Sequence, residues 1–579
     1  MKRTSRVLAI LLALAMLLSV TAFAAWDVYG GNPNHNSVVS GAPTNANPSV
    51  TSIDLSNGGR GWDGIDNVPV METVTENGED VTYAYVLYDG YSSYGGQLAK
   101  INCSAATPYV VWRKQVSAAA GFQLSTPYLD TTNRAIYIGA SNASVYNNVA
   151  ISSPVALTAG TAGTVTIGGL SLLTAANRVS VPVYVGHTSV ADRGTLTTEG
   201  TATIQLGGGT AVNLTLSTTQ ASSGTTYKIY EQATYDATGT VNGYDYYYYI
   251  NHSVTASSLT DATLSISVTL NGTGSITSVS MFANKGAVTK VTGIDSTDAS
   301  GVTLTSVVSS VNGQINTPIT RYGDYIYFGT WSGNSRMQYY QVDISGTGFD
   351  AVTYTGKAGF YWAGAASVTI GTGDDAVDYI YFGGDSGYLY YQSAGEFGVA
   401  DNYVELTEKA GDAGNVRSTI MTDGTNLYFT SQGKYLWCYQ PDANGVPVYQ
   451  WHVQLAGTST STPTLVQNSD GTTSIYTGYY SGFSAGGVQV TTYANGATPT
   501  SSDVTTVASG FPVQCSILYS NGYVYFNTNA SGGAGYCYNA STKASVWSTT
   551  ADTYALGGMA CDNGIIVFGN DYDHLYVVK

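Results

Sequence analysis

One phrase recurs along the chain: a strand that opens on small residues or Thr-Pro, a polar turn, a second strand rich in Tyr, Ile and Phe that ends at Gly, another polar turn, and a third strand. Its clearest copies are TPITRYGDYIYFGTWSGNSRMQYYQVD from Thr317, STIMTDGTNLYFTSQGKYLWCYQPD from Ser418 and CSILYSNGYVYFNTNASGGAGYCYNAST from Cys515. Others begin near Val70, Thr126, Ala365, Thr462 and Gly558, which makes eight. From Thr317 onward they return every 43 to 53 residues. A period of that length marks a propeller or solenoid, and a four-stranded antiparallel blade consumes that much chain. The expected fold class is all-β, an eight-bladed β-propeller.

Several copies add a fourth strand carrying Trp after a polar turn: VVWRKQV with Trp112, YQWHVQL with Trp451 and SVWSTTA with Trp547. An aromatic ring there covers the edge of one blade and docks it on the next. The last copy stops after three strands, while Pro48 to Leu55, PSVTSIDL, alternates apolar and polar just before the first blade. This segment is expected to supply the missing strand and close the ring, removing the edges that would template aggregation. Helices should be nearly absent.

One interval breaks the rhythm, because Thr126 and Thr317 stand 191 residues apart. The excess, residues 152–305, has no Trp and no Cys, and is dense in alternating patterns such as TVTIGGLSLL, RVSVPVYVG, TATIQL, AVNLTLS and TLSISVTL. Alternation between Gly, Asn and Ser turns predicts an inserted β-sandwich domain of immunoglobulin-like kind. It is expected to leave the ring after the third strand of blade 2 and to return before the fourth. The propeller then comprises 25–151, with the closing strand and blades 1 and 2, and 306–579, with the rest of blade 2 and blades 3 to 8. Within the insert, YDYYYY at 244–249 must turn alternate rings to opposite faces at strand periodicity.

Residues 1–24 read as a signal peptide: Lys2, Arg3 and Arg6 precede VLAILLALAMLLSV and the small-x-small site Ala22-Phe23-Ala24. Cleavage is expected after Ala24, and the apolar run is too short for a membrane span. A secreted, extracellular or cell-surface protein is therefore expected. The formal net charge of −17 disfavours nucleic acid, whose binding needs basic grooves that displace counterions. Only 10% of residues are charged, against 68 Gly and 48 Tyr, so the surface is covered mainly by Ser, Thr, Asn, Gly and Tyr, a composition suited to β-structure outside the cell. The partners expected are an extracellular protein or glycan, with no nucleic acid and no membrane span.

The segment WDVYGGNPNHN, Trp26 to Asn36, sets an aromatic before Gly-Gly and a polar turn, and YNASTKASVW, Tyr538 to Trp547, leads from a polar turn with Thr and Lys to the outer-strand Trp. In these features the chain resembles the quinoprotein-like β-propellers built from PQQ-type repeats, over about residues 26–151 and 306–579. That resemblance implies either a dehydrogenase holding pyrroloquinoline quinone or a cofactor-free scaffold, such as the lipoprotein of outer-membrane barrel assembly. The chain departs from the dehydrogenases: it has no adjacent Cys pair, no Cys-x-x-Cys-His, and no positions that match a Glu/Asn/Asp calcium set. No cofactor is expected; neither pyrroloquinoline quinone nor calcium is supported by a motif.

The five cysteines are odd in number and too sparse for a disulfide scaffold. Cys438 and Cys537 stand at matching places in two repeats, as small buried residues would. Gly482-Phe483-Ser484-Ala485-Gly486 fits a nucleophile pattern but falls in a turn between two strands rather than in a strand-turn-helix elbow. The five histidines show no metal-ligand spacing, and the acidic turns at Asp374, Asp375 and Asp378 and at Asp571 and Asp573 read as hairpin turns. No catalytic or metal-ligating residue is singled out.

Aromatics are more informative. Because blade strands alternate in direction, second-to-third-strand turns share a face with the links between blades. These connections carry Tyr91, Tyr94, Phe122, Trp331, Phe360, Tyr361, Trp362, Tyr479, Tyr480 and Phe511, which are expected to ring one mouth of the channel. Flat rings with polar edges suit sugars, peptides or a protein partner. The function this favours is a non-enzymatic binding or scaffold protein. Its alternatives are a divergent quinoprotein oxidoreductase, a carbohydrate-active propeller enzyme, or a structural component of a surface layer.

Overall fold

Asn-Gly pairs in the repeats force tight hairpins. Asn77-Gly78, Asn521-Gly522 and Asn563-Gly564 all have positive φ, as two-residue type I′ turns require, and each joins the first and second strands of a blade. A computed structural model describes residues 25–579 except 57–63, 90–95, 117–123, 141–150, 152, 173–174, 220–224, 237–240, 257–258, 284 and 333–334. By contacts, the chain divides into one unit running to Ser141 and from Gly286 to Lys579, and a second unit, Asn142–Lys285.

The first unit is an all-β, eight-bladed propeller. Its blades span 70–115, 128–140 with 285–312, 314–355, 366–405, 421–454, 464–509, 518–550 and 560–578. Second strands are packed on both faces by neighbouring blades, so they read as unbroken apolar and aromatic runs rather than alternating ones. Tyr325–Trp331 and Val377–Gly384 illustrate this, with Tyr339 stacked on Phe382 at 3.9 Å between blades 3 and 4. First strands open on small polar residues because these latch one blade to the next: Val68 N–H donates to Thr126 Oγ1 at 3.1 Å, and Thr419 N–H to Thr462 Oγ1 at 3.0 Å. The ring closes as expected, with Val50–Asp54 pairing antiparallel to His574–Val578 as the outer strand of blade 8.

The residues before that closing strand touch all eight blades, blade 8 through Ser49, which exchanges two backbone hydrogen bonds with Lys579. Met71 N–H donates to Trp26 O on blade 1 and Leu129 N–H to Asp27 O on blade 2. Tyr322 Oη–H of blade 3 donates to Pro33 O, and His35 Nε2 lies 2.7 Å from Ala365 O on blade 4. Thr422 of blade 5 donates to Asn34 O, the Asn36 amide pairs twice with the Leu465 backbone of blade 6, and Tyr519 of blade 7 donates to Ser37 O. Gly30 and Gly31 let this segment fold tightly. Both have positive φ, and a Cβ on Gly31 would sit 2.5 Å from the Trp26 ring.

Asp27 is largely buried in this segment, and burial, aided by the nearby Asp130 carboxylate, pushes its pKa up to about 6 from 3.8. Between those values the folded chain holds the extra proton, so this group's contribution to stability falls as pH rises through the window. Asp27→Asn is expected to raise stability at pH 7 by about 1–3 kcal/mol and to change it little at pH 3. Urea unfolding at both values checks this, and an equal effect at both would remove the titration from the account.

The second unit is a ten-stranded sheet whose pairing runs as one continuous path from Gly163–Leu172 to Val155–Leu157, with Ser280–Ala283 alongside Ala175–Ser189. The two separate sheets of a sandwich are not what its hydrogen bonds show. Alternate residues, among them Val179, Val181, Val183, Tyr246, Tyr248, Ile250, Leu264, Ile266 and Val268, form its core.

The insert also leaves blade 2 at a different place than expected. Lys285–Thr292 pairs with Ala135–Ala140, so the insert joins the second and third strands of that blade, and its compact part is Asn142–Lys285 rather than 152–305. The returning strand, KGAVTKVT, alternates like the insert's own strands, and nothing local marks the crossing. Among the described residues, no helix is long and apolar enough to cross a membrane.

Candidate functional site

The turns and links expected to share one face of the propeller do enclose a space. A cavity of about 380 Å³ is lined by Asp66, Leu124, Tyr361, Trp362, Arg417, Gln432, Tyr480, Phe483, Gln514, Asn529, Tyr554, Leu556 and Asp571. It shares Asp66, Leu124, Trp362, Arg417, Gln514 and Leu556 with a narrower cavity of about 40 Å³ that runs along the channel to Thr126, Thr460 and the Tyr29 ring of the N-terminal segment.

One wall is held by a carboxylate. Asp385, in the second-to-third-strand turn of blade 4, accepts Arg417 Nε–H and Nη2–H at 2.8 Å each and Trp331 Nε1–H at 3.1 Å. Arg417 lies 4.6 Å over the Tyr361 ring, which meets Trp331 edge-on at 4.9 Å and Trp362 at 4.6 Å. A bidentate pair fixes guanidinium orientation, so both the stack and the cation are pre-set before any ligand arrives. Trp362 has φ +61, a conformation bulky residues adopt only when their surroundings impose it. Its carbonyl is held there by Gly364 N–H at 2.9 Å.

The opposite wall is polar and aromatic by turns. Gln432 Nε2–H donates to Tyr480 Oη at 3.0 Å while its Oε1 accepts Asn415 Nδ2–H at 2.9 Å. Phe483, 61% exposed, meets Tyr554 edge-on at 5.6 Å. Burial pushes the Tyr361 phenol up to about 12 and raises that of Tyr480, so both present neutral hydroxyls. Aromatic faces beside fixed amides and carboxylates suit noncovalent recognition of an amphipathic group.

Of the expected aromatic residues, Trp331, Tyr361, Trp362 and Tyr480 are brought together here. Phe360 is not at the mouth: it is fully buried against Tyr339, Phe382 and Tyr390 between blades 3 and 4. Phe511 stacks on Tyr536 at 4.6 Å and packs against the core between blades 6 and 7. Tyr479 does not line the cavity, since strand alternation turns it away from its neighbour Tyr480. Tyr91, Tyr94 and Phe122 lie outside the described residues.

Gln432, Gln514, Asn529, Asp66, Asp571 and Arg417 line the site in the same turns and links. Their positions were legible from the repeat, but a search for rings alone passes over them. Of Gly482 to Gly486, the first three residues are the hairpin turn between strands Thr472–Ser481 and Ala485–Ala494, and that turn presents Phe483 to the cavity. All five cysteines are buried and free.

No family model and no curated protein matches this chain. Among solved structures it is similar to Sqt1 of Saccharomyces cerevisiae, at 10% identity and a TM-score of 0.32 over 51% of this chain and 79% of that one. Sqt1 of Chaetomium thermophilum, bound to the N-terminus of ribosomal protein L10, matches at 14% identity and 0.30 over 51% and 89%. The NanB sialidase of Streptococcus pneumoniae matches at 12% identity and 0.29 over 74% and 68%. The fold assignment rests on this chain's own strand pairing.

Proposed function

We propose that this chain is a secreted, non-catalytic binding protein whose propeller presents the aromatic mouth to an extracellular protein or glycan. The observation that carries this reading is the prearranged wall of Asp385, Arg417, Trp331 and Tyr361, where the Asp385 carboxylate holds the guanidinium and the indole N–H, and the Tyr361 ring packs against both, before a ligand binds. Pre-organisation of that kind lowers the entropic cost of capture. Secretion rests on the leader-like N-terminus.

The reading places the ring among PQQ-type propellers without their cofactor. Trp112, Trp451 and Trp547 support the repeat type: each sits on a fourth strand beside a bulge in that strand, 6.2, 6.1 and 6.0 Å from a second-strand tyrosine.

The test is a screen of the immobilised protein against a glycan array and a displayed peptide library. The enriched ligand is expected to lose about tenfold or more in affinity on Tyr361→Ala or Tyr480→Ala, the loss of a central ring contact. No enrichment from either library, or a ligand indifferent to both substitutions, would overturn the reading. A rise in melting temperature with pyrroloquinoline quinone and calcium, which a ligand of the folded state must produce, would replace it with an oxidoreductase.

A further inference from the structure

The YDYYYY run splits cleanly. Tyr244, Tyr246 and Tyr248 are buried in the core of the second unit, while Tyr247 and Tyr249 point to the other face and are partly exposed. Register places Tyr184 on one neighbouring strand and Tyr230 on the other directly opposite Tyr247. The outward rings are continuous: Tyr184 to Tyr247 is 5.3 Å, Tyr247 to Tyr249 is 5.6 Å and Tyr249 to Tyr230 is 6.0 Å between centroids. Tyr230 is 48% exposed. Folding does not ask for these rings, because the buried face of the same strands already supplies the core. A contiguous aromatic patch on the solvent side of a sheet is the informative kind of exposure.

The surroundings select its partner. Tyr249 Oη–H donates to Gln232 Oε1 at 3.4 Å, and His187 Nδ1 lies 2.9 Å from Asp245 Oδ1. On the same face Lys228 Nζ lies 5.7 Å from the Tyr230 ring centroid. An anionic polymer would need a cluster of uncompensated cations, whereas among the described side chains Lys228 lies over these rings singly, beside a His187–Asp245 pair and on a chain of net charge −17. An apolar peptide would need a groove for its anchor side chains, and these rings line neither of the cavities described above. A pyranose chain has apolar C–H faces that lie on aromatic rings and hydroxyls at its edges that meet amide, imidazole and phenol groups. We infer that this sheet face is a binding platform for a neutral glycan chain, a site independent of the propeller mouth.

Titration calorimetry of the full-length protein with cello-, xylo-, manno- and laminarihexaose tests it, with polygalacturonate as the anionic control. At least one neutral hexasaccharide is expected to bind and to weaken about tenfold or more on Tyr230→Ala or Tyr249→Ala, while Tyr230→Phe and the mouth variant Tyr361→Ala leave it unchanged. In the unsubstituted protein, saturating ligand is expected to protect Tyr230 and Tyr249 from nitration, a readout that needs no variant to fold. Binding to none of the neutral oligosaccharides, preference for polygalacturonate, or absence of protection would overturn the platform. Loss of binding on Tyr361→Ala alone would overturn it too, while leaving the mouth reading intact.

Discussion

Arg134→Leu is expected to destabilise the propeller by about 3–5 kcal/mol, the cost of stranding a buried charge. The carboxylate concerned is Glu72, on the first strand of blade 1, whose side chain is 4% exposed. Arg134, in the first turn of blade 2, grips both its oxygens, and Tyr85 Oη–H adds a bond at 2.8 Å. The same guanidinium reaches Asp295 between the third and fourth strands of its own blade, so one side chain ties two blades together at their edges. Without it, Glu72 keeps one phenol donor. Asp295→Asn removes the partner that is 63% exposed and should cost about 1 kcal/mol or less, as surface pairs do. Arg134→Leu combined with Glu72→Leu should recover much of the loss, because two apolar groups leave no unmet charge. Urea unfolding of the three variants checks the order; a single Arg134→Leu effect near that of Asp295→Asn would mean that Glu72 finds other relief.

That pair marks where reading from the chain stops. The blades were legible because their turns are local and their second strands must be apolar on both faces, and the closing strand because PSVTSIDL alternates on its own. Glu72 and Arg134 are 62 residues apart and Asp385 and Arg417 are 32 apart, each pair in different blades, and nothing in either local pattern announces the other. The bulges beside Trp112, Trp451 and Trp547 shift register by one residue without leaving a compositional mark. At the mouth, Phe360, Tyr361 and Trp362 are consecutive. The positive φ of Trp362 breaks the alternation that would have sorted core ring from exposed ring. The entry and exit of the insert were misplaced for the opposite reason: strands on both sides of the junction look alike.

Trp26→Ala tests whether the N-terminal segment is structural glue or a strap laid over a finished ring. The ring of Trp26 is 1% exposed and belongs to the core cluster that joins blades 7, 8 and 1. Truncation opens a cavity in packed surroundings, with an expected loss of about 3–5 kcal/mol. Among the described residues its indole N–H has no hydrogen-bond partner, so Trp26→Phe keeps most of the packing, forfeits no bond, and should cost about 1–2 kcal/mol. Gly31→Ala attacks the same contact from the other side, driving a Cβ into the ring from a backbone with φ +73, and should approach the alanine truncation in severity.

These three effects carry further than stability. The segment runs on without interruption into Val50–Asp54, the outer strand of blade 8, so a loosened Trp26 weakens the closure it leads to. Tyr29, three residues along, lines the inner cavity, so the same variants should also soften the far end of the mouth. Limited proteolysis is expected to cut Trp26→Ala within residues 26–49 well before wild type, followed by loss of the closing strand. If Trp26→Ala instead unfolds within about 1 kcal/mol of wild type and resists protease equally, then blade-to-blade packing and the Val50–Asp54 strand hold the ring unaided, and the eight contacts of the segment are consequences of closure rather than its cause.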